Sequence, residues 1–384
     1  MKSKKLILFY PVGEKITGQQ LATEMIIDNF DDTLALIPVK RKIPVFNREK
    51  SSLKYNISYS LLTIGFWLKI LGLIFRKSSV LYLNIGQSWI SILRDGLLFA
   101  FVLRLRRSHK GIISMHGNWF VSWHKNSLKM KFMRFILNST KVITVLGANQ
   151  QESLISKGVK AEVIKIVPNA SEITPLSQEK VISKQRDNEH IHILFLSNLI
   201  PSKGYREYVR AIEMLADDKN ITQKITAVIC GSFLSCGFSQ DSSGNSPQQW
   251  LDAKLKLINS SANIQIKHIN GAYGKAKEEL FKESQIFILP SLIEAQPIVL
   301  LEAMSTGNTS ISSMAGEIPS TLPDEAGIKL ENPTSENVKK SIIKLLSNPE
   351  KRKEKALAAL SVWQNNYSIK IYSEAWMKIF KELI

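Results

Sequence analysis

Apolar residues in this chain fall into short runs separated by longer stretches in which they recur every third or fourth position. Short apolar runs bounded by turn residues read as buried strands, and the longer period reads as amphipathic helix. In the first half the pattern predicts strands at Leu6–Pro11, Thr33–Val39, Ser79–Asn84, Gly111–Met115, Val142–Val145 and Ala161–Val167. A polar, helix-breaking segment follows. A second set is predicted at Ile191–Leu196, Thr226–Cys230, Asn263–His268, Gln285–Leu289, Thr309–Ser312 and Gly327–Leu330. Strands alternating with helices predict parallel sheets covered on both faces. The expected class is therefore α/β, with two Rossmann-like, doubly wound domains. Residues 1–170 are the first, 171–189 a linker, 190–365 the second, and 366–384 a closing helix. Phe233 to Gln249, rich in Ser, Gly and Gln, reads as a loop.

Composition narrows the class. At 384 residues the chain is long for one core and comfortable for two. Its hydrophobic content of 44% and a mean hydropathy near zero fit a soluble, globular protein. Two cysteines, Cys230 and Cys236, make neither a disulfide framework nor a metal quartet, so a reducing cytoplasm is expected. The basic start and the apolar run from Leu6 superficially resemble a signal peptide. The run is short and lacks a small-residue cleavage site, so a first strand is the expectation. The most apolar long stretch, Leu61 to Phe75, is broken by Lys69 and flanked by Arg76 and Lys77. No membrane-spanning helix is expected from it.

Charge is uneven. The net charge is +18, and residues 1–179 carry 26 Lys and Arg against 11 Asp and Glu, whereas residues 180–384 carry 25 against 22. One half is expected to face an anionic partner: nucleic acid, anionic lipid or a phosphate-bearing substrate. From Trp119 to Asn138, Lys125, Lys129, Lys131 and Arg134 interleave with aromatics, and positions 128, 132, 135 and 136 form one apolar helical stripe. That stripe suits either a core contact or an anionic membrane surface. Arg104, Arg106, Arg107, His109 and Lys110 form a second basic cluster.

The most informative stretch runs from Pro290 to Gly307. A buried strand ends at Pro290, a loop carries Glu294, and Pro297 suits the first turn of a helix that carries Glu302 among apolar neighbours. A carboxylate in such a segment is costly to bury unless donors reach it. Glu294 precedes a helix N-terminus, whose amides and dipole favour anions. Two acids eight residues apart can grip two ends of a polyhydroxylated ligand, with the amides between them meeting hydroxyls or phosphates. Ser197 to Gly204 likewise leads from a strand into a helix. Ser202 is expected to cap that helix, placing Lys203 beside its positive end as a diphosphate site.

With Leu289-Pro-Ser before Glu294, Leu300-Leu-Glu-Ala-Met around Glu302 and Gly316-Glu-Ile-Pro-Ser beyond, the stretch resembles the E-x7-E signature of retaining GT-B glycosyltransferases of family 4 (glycosyl transferases group 1), which use nucleotide-sugar donors. The resemblance runs essentially end to end. It implies two Rossmann-like domains facing across a cleft, with the helix around Tyr367 to Leu383 crossing back to the N-terminal domain. It implies that Glu294, with the backbone of Ala295, Gln296, Pro297 and Ile298, holds the donor sugar, and that Glu302 takes the ribose hydroxyls. Pro297 has no amide hydrogen to give. Lys203 would stabilise the departing diphosphate, and His116, in Met115-His116-Gly117-Asn118, would meet the sugar from the other domain. Gly13, Thr17 and Gly18 resemble the family's glycine loop and, with His116 and Asn118, form the acceptor side; Gly18 also approaches the donor phosphate.

The chain departs from the family at two places. Asn198 stands where an Arg usually joins Lys203 on the diphosphate, and Arg206, one turn on, is the expected substitute. Ala295-Gln296 replaces the usual Gly-Phe. No Asp-x-Asp occurs, so no metal or other cofactor is expected, and Lys203 with helix amides would neutralise the leaving group. Asn169, in Val167-Pro-Asn-Ala, is expected to form a turn. His124 suits a second polar contact or plain surface, and His190 and His192 alternate along a strand without a metal site being expected.

The expected function is transfer of a sugar from a nucleotide-sugar to a saccharide acceptor, lipid-linked, in bacterial surface polysaccharide synthesis. The expected location is the cytoplasmic membrane's inner face, on an anionic surface and without nucleic acid. The alternatives are a nucleotide-sugar-binding homologue with weak transfer and a basic nucleic-acid-binding protein.

Overall fold

The computed structural model of the chain describes residues 5–13, 18–29, 35–42, 52–75, 78–234 and 246–384. They form two compact units, Met1–Ala170 with Ile369–Ile384, and Ser171–Ser368. Each is built on a six-stranded, wholly parallel sheet.

The strands of the first unit are β1 (Lys5–Val12), β2 (Ala35–Lys42), β3 (Ser79–Asn84), β4 (Lys110–Ser114), β5 (Val142–Val145) and β6 (Ile164–Ile166), ordered β2-β1-β3-β4-β5-β6. Every residue of β3 and β5 is buried, as a parallel sheet covered on both faces requires. Leu81, Leu83, Ile113 and Ile143 face one core; Leu6, Leu8, Tyr82 and Ile112 face another. The final helix, Ile369–Leu383, closes the second of these. Its Tyr372 hydroxyl donates to Ala22 O at 2.7 Å, and Trp376 stacks on Phe380 and meets Tyr82 edge-on.

The second unit holds β7 (His190–Leu196), β8 (Lys224–Cys230), β9 (Ile264–Ile269), β10 (Ile286–Leu289), β11 (Thr309–Ser313) and β12 (Gly327–Leu330), ordered β12-β11-β10-β7-β8-β9. The order reverses between β7 and β10, which are paired. Loops leaving two such strands diverge and open a crevice at the carboxyl end of the sheet. β11 is buried although it reads Thr-Ser-Ile-Ser-Ser. Thr309, Ser312 and Ser313 donate their hydroxyls to the carbonyls of Arg352, Leu289 and Ser291, which satisfies them without water.

The structure differs from the sequence pattern at three places. The strand expected at Ala161–Val167 shortens to β6, because Ala161–Val163 turns as a 3-10 helix first. The segment 171–189, expected as a linker, holds the helix Gln178–Arg186, capped by Ser177 and packed through Val181 into the second unit's core. The stretch around Leu61–Phe75 lies in a helix, Ser52–Leu71, and the turn Gly72–Phe75 that continues it. Ser58–Phe75 is long and apolar enough to cross a membrane by length and composition, with only 22% of it buried. One lysine does not offset so many apolar neighbours. Residues 235–245 of the expected loop lie outside the described residues.

Candidate active site

In the second unit, the loops after β7 and β10 are fastened together at the reversal. Leu292 donates its amide to Ser202 O at 2.8 Å, and Ser291 its hydroxyl to Lys203 O. Gly204 takes φ 74°, and a side chain there would put its Cβ 2.3 Å from Pro290 O. Only glycine permits both that left-handed conformation and that approach. Gly204 is also the residue that caps the helix Tyr205–Ala216, with no side-chain hydrogen bond. The cap expected from Ser202 is therefore absent, because Pro201–Lys203 first makes a separate 3-10 turn.

That fastening puts Lys203 against Glu294. Lys203 Nζ lies 2.7 Å from Glu294 Oε1 and also donates to Ile293 O at 3.3 Å. Glu294 is nearly buried while Lys203 keeps some exposure. An ion pair of this kind is tethered on one side and free to reorganise on the other. Behind Glu294, Gly316 at φ 61° would place a Cβ 2.4 Å from the carbonyl oxygens of Glu294 and Ala295, and Glu317 N donates to Ala295 O at 2.7 Å. Gln296 is buried and donates to Thr321 Oγ1 at 3.0 Å, so it fixes the loop. Pro297 is the residue before the helix Ile298–Ser305 rather than its first.

Glu302 lies inside that helix, almost wholly buried. Its Oε1 is 2.5 Å from Lys277 Nζ, on the helix Gly274–Glu283. Its Oε2 is buried with no hydrogen-bond partner among the described residues. Burial raises the carboxyl's pKa, and Lys277 works against the rise. Lys277 is the residue that sequence reasoning missed. A lysine 25 residues before Glu302 on another helix carries no local signal. Asn198 is exposed, and its carbonyl accepts from Ile200 N. The Arg206 guanidinium packs 5.2 Å from the centre of the Trp250 ring, and its Nε donates to the Tyr205 hydroxyl.

In the first unit the ends of β4 and β5 carry neutral groups. His116 Nε2 lies 2.9 Å from Ser114 Oγ, which accepts from Thr144 Oγ1 at 2.9 Å. Burial pulls the His116 pKa down to about 4, and Asn169 beside it opposes the fall. Asn169 thus touches the histidine rather than only making a turn. Gln150 donates to Gly117 O and to Asn118 Oδ1, and its own Oε1 accepts from Leu146 N. It ties the His116–Asn118 loop to the end of β5. Gly13 donates its amide to Gln20 Oε1 at 3.3 Å, and Gly18 begins the helix Gly18–Asp28. Thr17 lies outside the described residues. His124 Nδ1 accepts from Asn126 N at the surface, and the His190 and His192 rings pack together.

The structure therefore brings together Lys203 and Glu294, sets Glu302 beside Lys277, and groups His116 with Asn169 in the other unit. Among the described residues no cluster of His, Cys, Asp and Glu has a metal site's composition.

Comparison with known proteins bears on the family and the fold. Residues 177–359 match the model of the family described as glycosyl transferases group 1. The GPI3 subunit of phosphatidylinositol N-acetylglucosaminyltransferase from Saccharomyces cerevisiae is 20% identical over 52% of this chain, which spans 42% of that protein's length. An uncharacterized 41.2 kDa protein in the cps region of Klebsiella pneumoniae is 23% identical over 59% of this chain and 58% of its own. In fold, the chain is similar to Anabaena HepE in complex with UDP, with a TM-score of 0.71 and 14% identity over 99% of this chain and all of that one; a complex of HepE with UDP-glucose gives 0.67. The matched segment, residues 177–359, is a little under half of the chain and takes in Lys203, Lys277, Glu294 and Glu302.

Proposed function

We propose that this chain moves a sugar from a nucleotide-sugar to a saccharide acceptor with retention of the anomeric configuration. The observation that carries the reading is the Lys203–Glu294 pair at the strand reversal, close in sequence to a buried carboxylate with one unpartnered oxygen, Glu302 Oε2. A donor entering this site exchanges one partner for another at each charge. Lys203 turns to the diphosphate, and Glu294 is released to accept from sugar hydroxyls. Glu302 Oε2 accepts from the ribose, while Lys277 keeps Oε1 and holds the carboxylate charged. As the bond to the diphosphate breaks, Lys203 stabilises the departing negative charge. The acceptor hydroxyl attacks on the face the diphosphate leaves and gives its proton to the departing diphosphate oxygen, which keeps the configuration without an enzyme-bound sugar. Neutral His116 then offers a hydrogen bond without competing for phosphate.

No metal or other cofactor takes part in this scheme. The similarity to HepE, whose complexes contain UDP and UDP-glucose, favours a nucleotide-sugar donor. The yeast relative, named for a phosphatidylinositol acceptor, and the Klebsiella relative, named for the cps region, favour a lipid-linked acceptor in surface polysaccharide synthesis. The excess of cations in the first half favours a peripheral location on the cytoplasmic membrane's inner face.

Thermal-shift screening against nucleotide-sugars tests the donor site, because a ligand that binds only the folded state raises Tm. Release of nucleoside diphosphate in the presence of acceptor then tests transfer. Stabilisation without turnover would leave the weak-transfer alternative, which rests on Asn198 in place of a cation. Stabilisation by neither UDP nor any nucleotide-sugar would sink the reading.

A further inference from the structure

Among the described residues, thirteen of the twenty exposed large apolar side chains lie between Leu61 and Phe135. They sit on elements that share one layer. The helix Ser52–Leu71 packs beside Leu97–Leu105, which packs beside Leu128–Leu137. The inner sides of these helices, including Phe66, Ile70, Phe99, Val102, Met133 and Ile136, fill one core. Their outer sides are apolar as well. On the first helix Leu61 and Leu68 are each 64% exposed, and Phe75 just beyond is 89% exposed. Phe101 and Leu105 continue the surface on the second helix, and Leu128 and Phe135 on the third. Trp89 and Trp119 are exposed as well. A water-facing layer does not need such side chains, and contiguous apolar surface of this kind marks an interface.

Charge says what the interface meets. Residues 51–150 contain 14 Lys and Arg and a single acid, Asp95. Asp95 is buried and held by both Arg94, at 2.6 and 2.7 Å, and Arg41, at 3.7 Å. Over these 100 residues no carboxylate is left to repel an anionic surface. The cations also lie along the apolar surface: Arg104 stacks on Phe135 at 4.0 Å and Lys129 on Trp123 at 4.3 Å. Long basic side chains beside exposed aromatics are what a headgroup region accommodates, with rings at the interface and charges among the phosphates.

We infer that the outer face of this helix layer, led by the helix Ser52–Leu71, lies in the plane of an anionic bilayer and inserts Leu61, Leu68 and Phe75 among the acyl chains. This deepens the peripheral location proposed above and rests on that reading; what it adds is the surface and an apolar component that charge alone does not supply. The helix is long enough to span. It is nevertheless tied to the unit through Phe66, Ile70 and Leu73, each nearly or wholly buried, and spanning would pull all three from the core. An amphipathic helix held in this way lies on the membrane.

The test is flotation of the full chain with vesicles of phosphatidylglycerol and phosphatidylcholine, or of phosphatidylcholine alone, at low and high salt. The variant is Leu61→Gln with Leu68→Gln, which removes apolar surface without changing charge. The wild type floats with the anionic vesicles and keeps part of its binding at high salt, where screening has removed the electrostatic share. The variant loses at least about tenfold at high salt, since two buried leucines contribute that much or more. A thermal melt controls for folding; should the variant melt early, Phe101→Gln with Leu105→Gln replaces it. Equal binding by variant and wild type overturns the apolar face and leaves the charge-driven location standing. No binding by the wild type overturns both. A dimer that the variant converts to monomer assigns the face to a second copy, and retention after alkaline carbonate assigns a spanning helix; either overturns the inference. The Tm rise with UDP reports the donor site separately, so its failure is not confused with loss of the membrane face.

Discussion

The two units end the same kind of sheet in opposite ways. At the carboxyl ends of the second unit's strands, the polar groups are ions in pairs, Lys203 with Glu294 and Glu302 with Lys277. At the ends of β4 and β5 in the first, they are neutral: His116 with its pKa near 4, Ser114, Thr144, Asn118 and Gln150. The first half of the chain nevertheless carries most of the net positive charge. Its cations lie elsewhere, with Lys40, Arg41 and Lys42 at the end of β2 among them. Burying an unpaired charge costs more than a neutral hydrogen bond returns, so a buried strand end carries charge only where a partner stands beside it. Under the proposed function, phosphate electrostatics fall to the second unit and hydroxyl recognition to the first.

Removing a charge from the second unit gives the largest expected effect. Glu294→Gln and Lys203→Ala are each expected to lower turnover by about 10²–10³ with an unchanged melt, the usual consequence of losing a preorganised charge contact. Near-wild-type turnover in both would erase the contrast between the units.

Stability against pH probes the neutral side. Burial lowers the His116 pKa from 6.5 to about 4. Between these values the unfolded chain binds the proton and the folded one does not. The stability associated with His116 is therefore complete above pH 6.5 and is lost as pH falls toward 4, by up to about 3 kcal/mol. Denaturant melts should show a decline over that window which His116→Gln flattens. An imidazole found protonated at pH 6 by NMR would contradict the neutral assignment.

A smaller effect is expected at Lys277. Lys277→Met leaves the Glu302 carboxylate buried without its cation, so donor affinity should fall about tenfold. It should also become more sensitive to acid, since Glu302 then protonates at a higher pH and loses an acceptor. Calorimetry with UDP across pH separates this from a packing defect, which would weaken binding at all pH values alike. The smallest expected effect is that of chelation. EDTA should leave turnover unchanged; complete loss with rescue by Mn²⁺ would replace lysine with a metal as the phosphate partner.

Sequence legibility followed the same divide. The strands were readable in both units because fully buried parallel strands are continuous apolar runs, and Ser79–Asn84, Val142–Val145 and Gly327–Leu330 agree residue for residue. β11 was readable through its neighbours despite four hydroxyl residues. Glu294 and Glu302 stood out because strand, loop and helix signals frame them within 18 residues. Lys277 did not, because a partner on another helix is a tertiary fact. Ser202 looked like a cap by residue type, and only the φ of Gly204 shows where the helix starts. The helix Ser52–Leu71 was underrated by counting uninterrupted apolar residues, when one lysine in an otherwise apolar helix leaves its outer face greasy. Asn169 looked like a turn residue because a turn is local and its contact with His116 is not.

The helix Ile369–Leu383 bears on how the chain is made. Tyr372, Trp376, Ile379, Phe380 and Leu383 belong to a core whose other members come from the first 170 residues. During synthesis that core face has no cover until the whole of Ser171–Ser368 has been translated. Roughly 200 residues at about 5–20 residues per second is a wait of about 10–40 seconds. The second unit's own core takes in Trp363 and Tyr367, so it too is complete only as that wait ends. The unit begun first therefore waits on its last helix and can finish no earlier than the unit made after it.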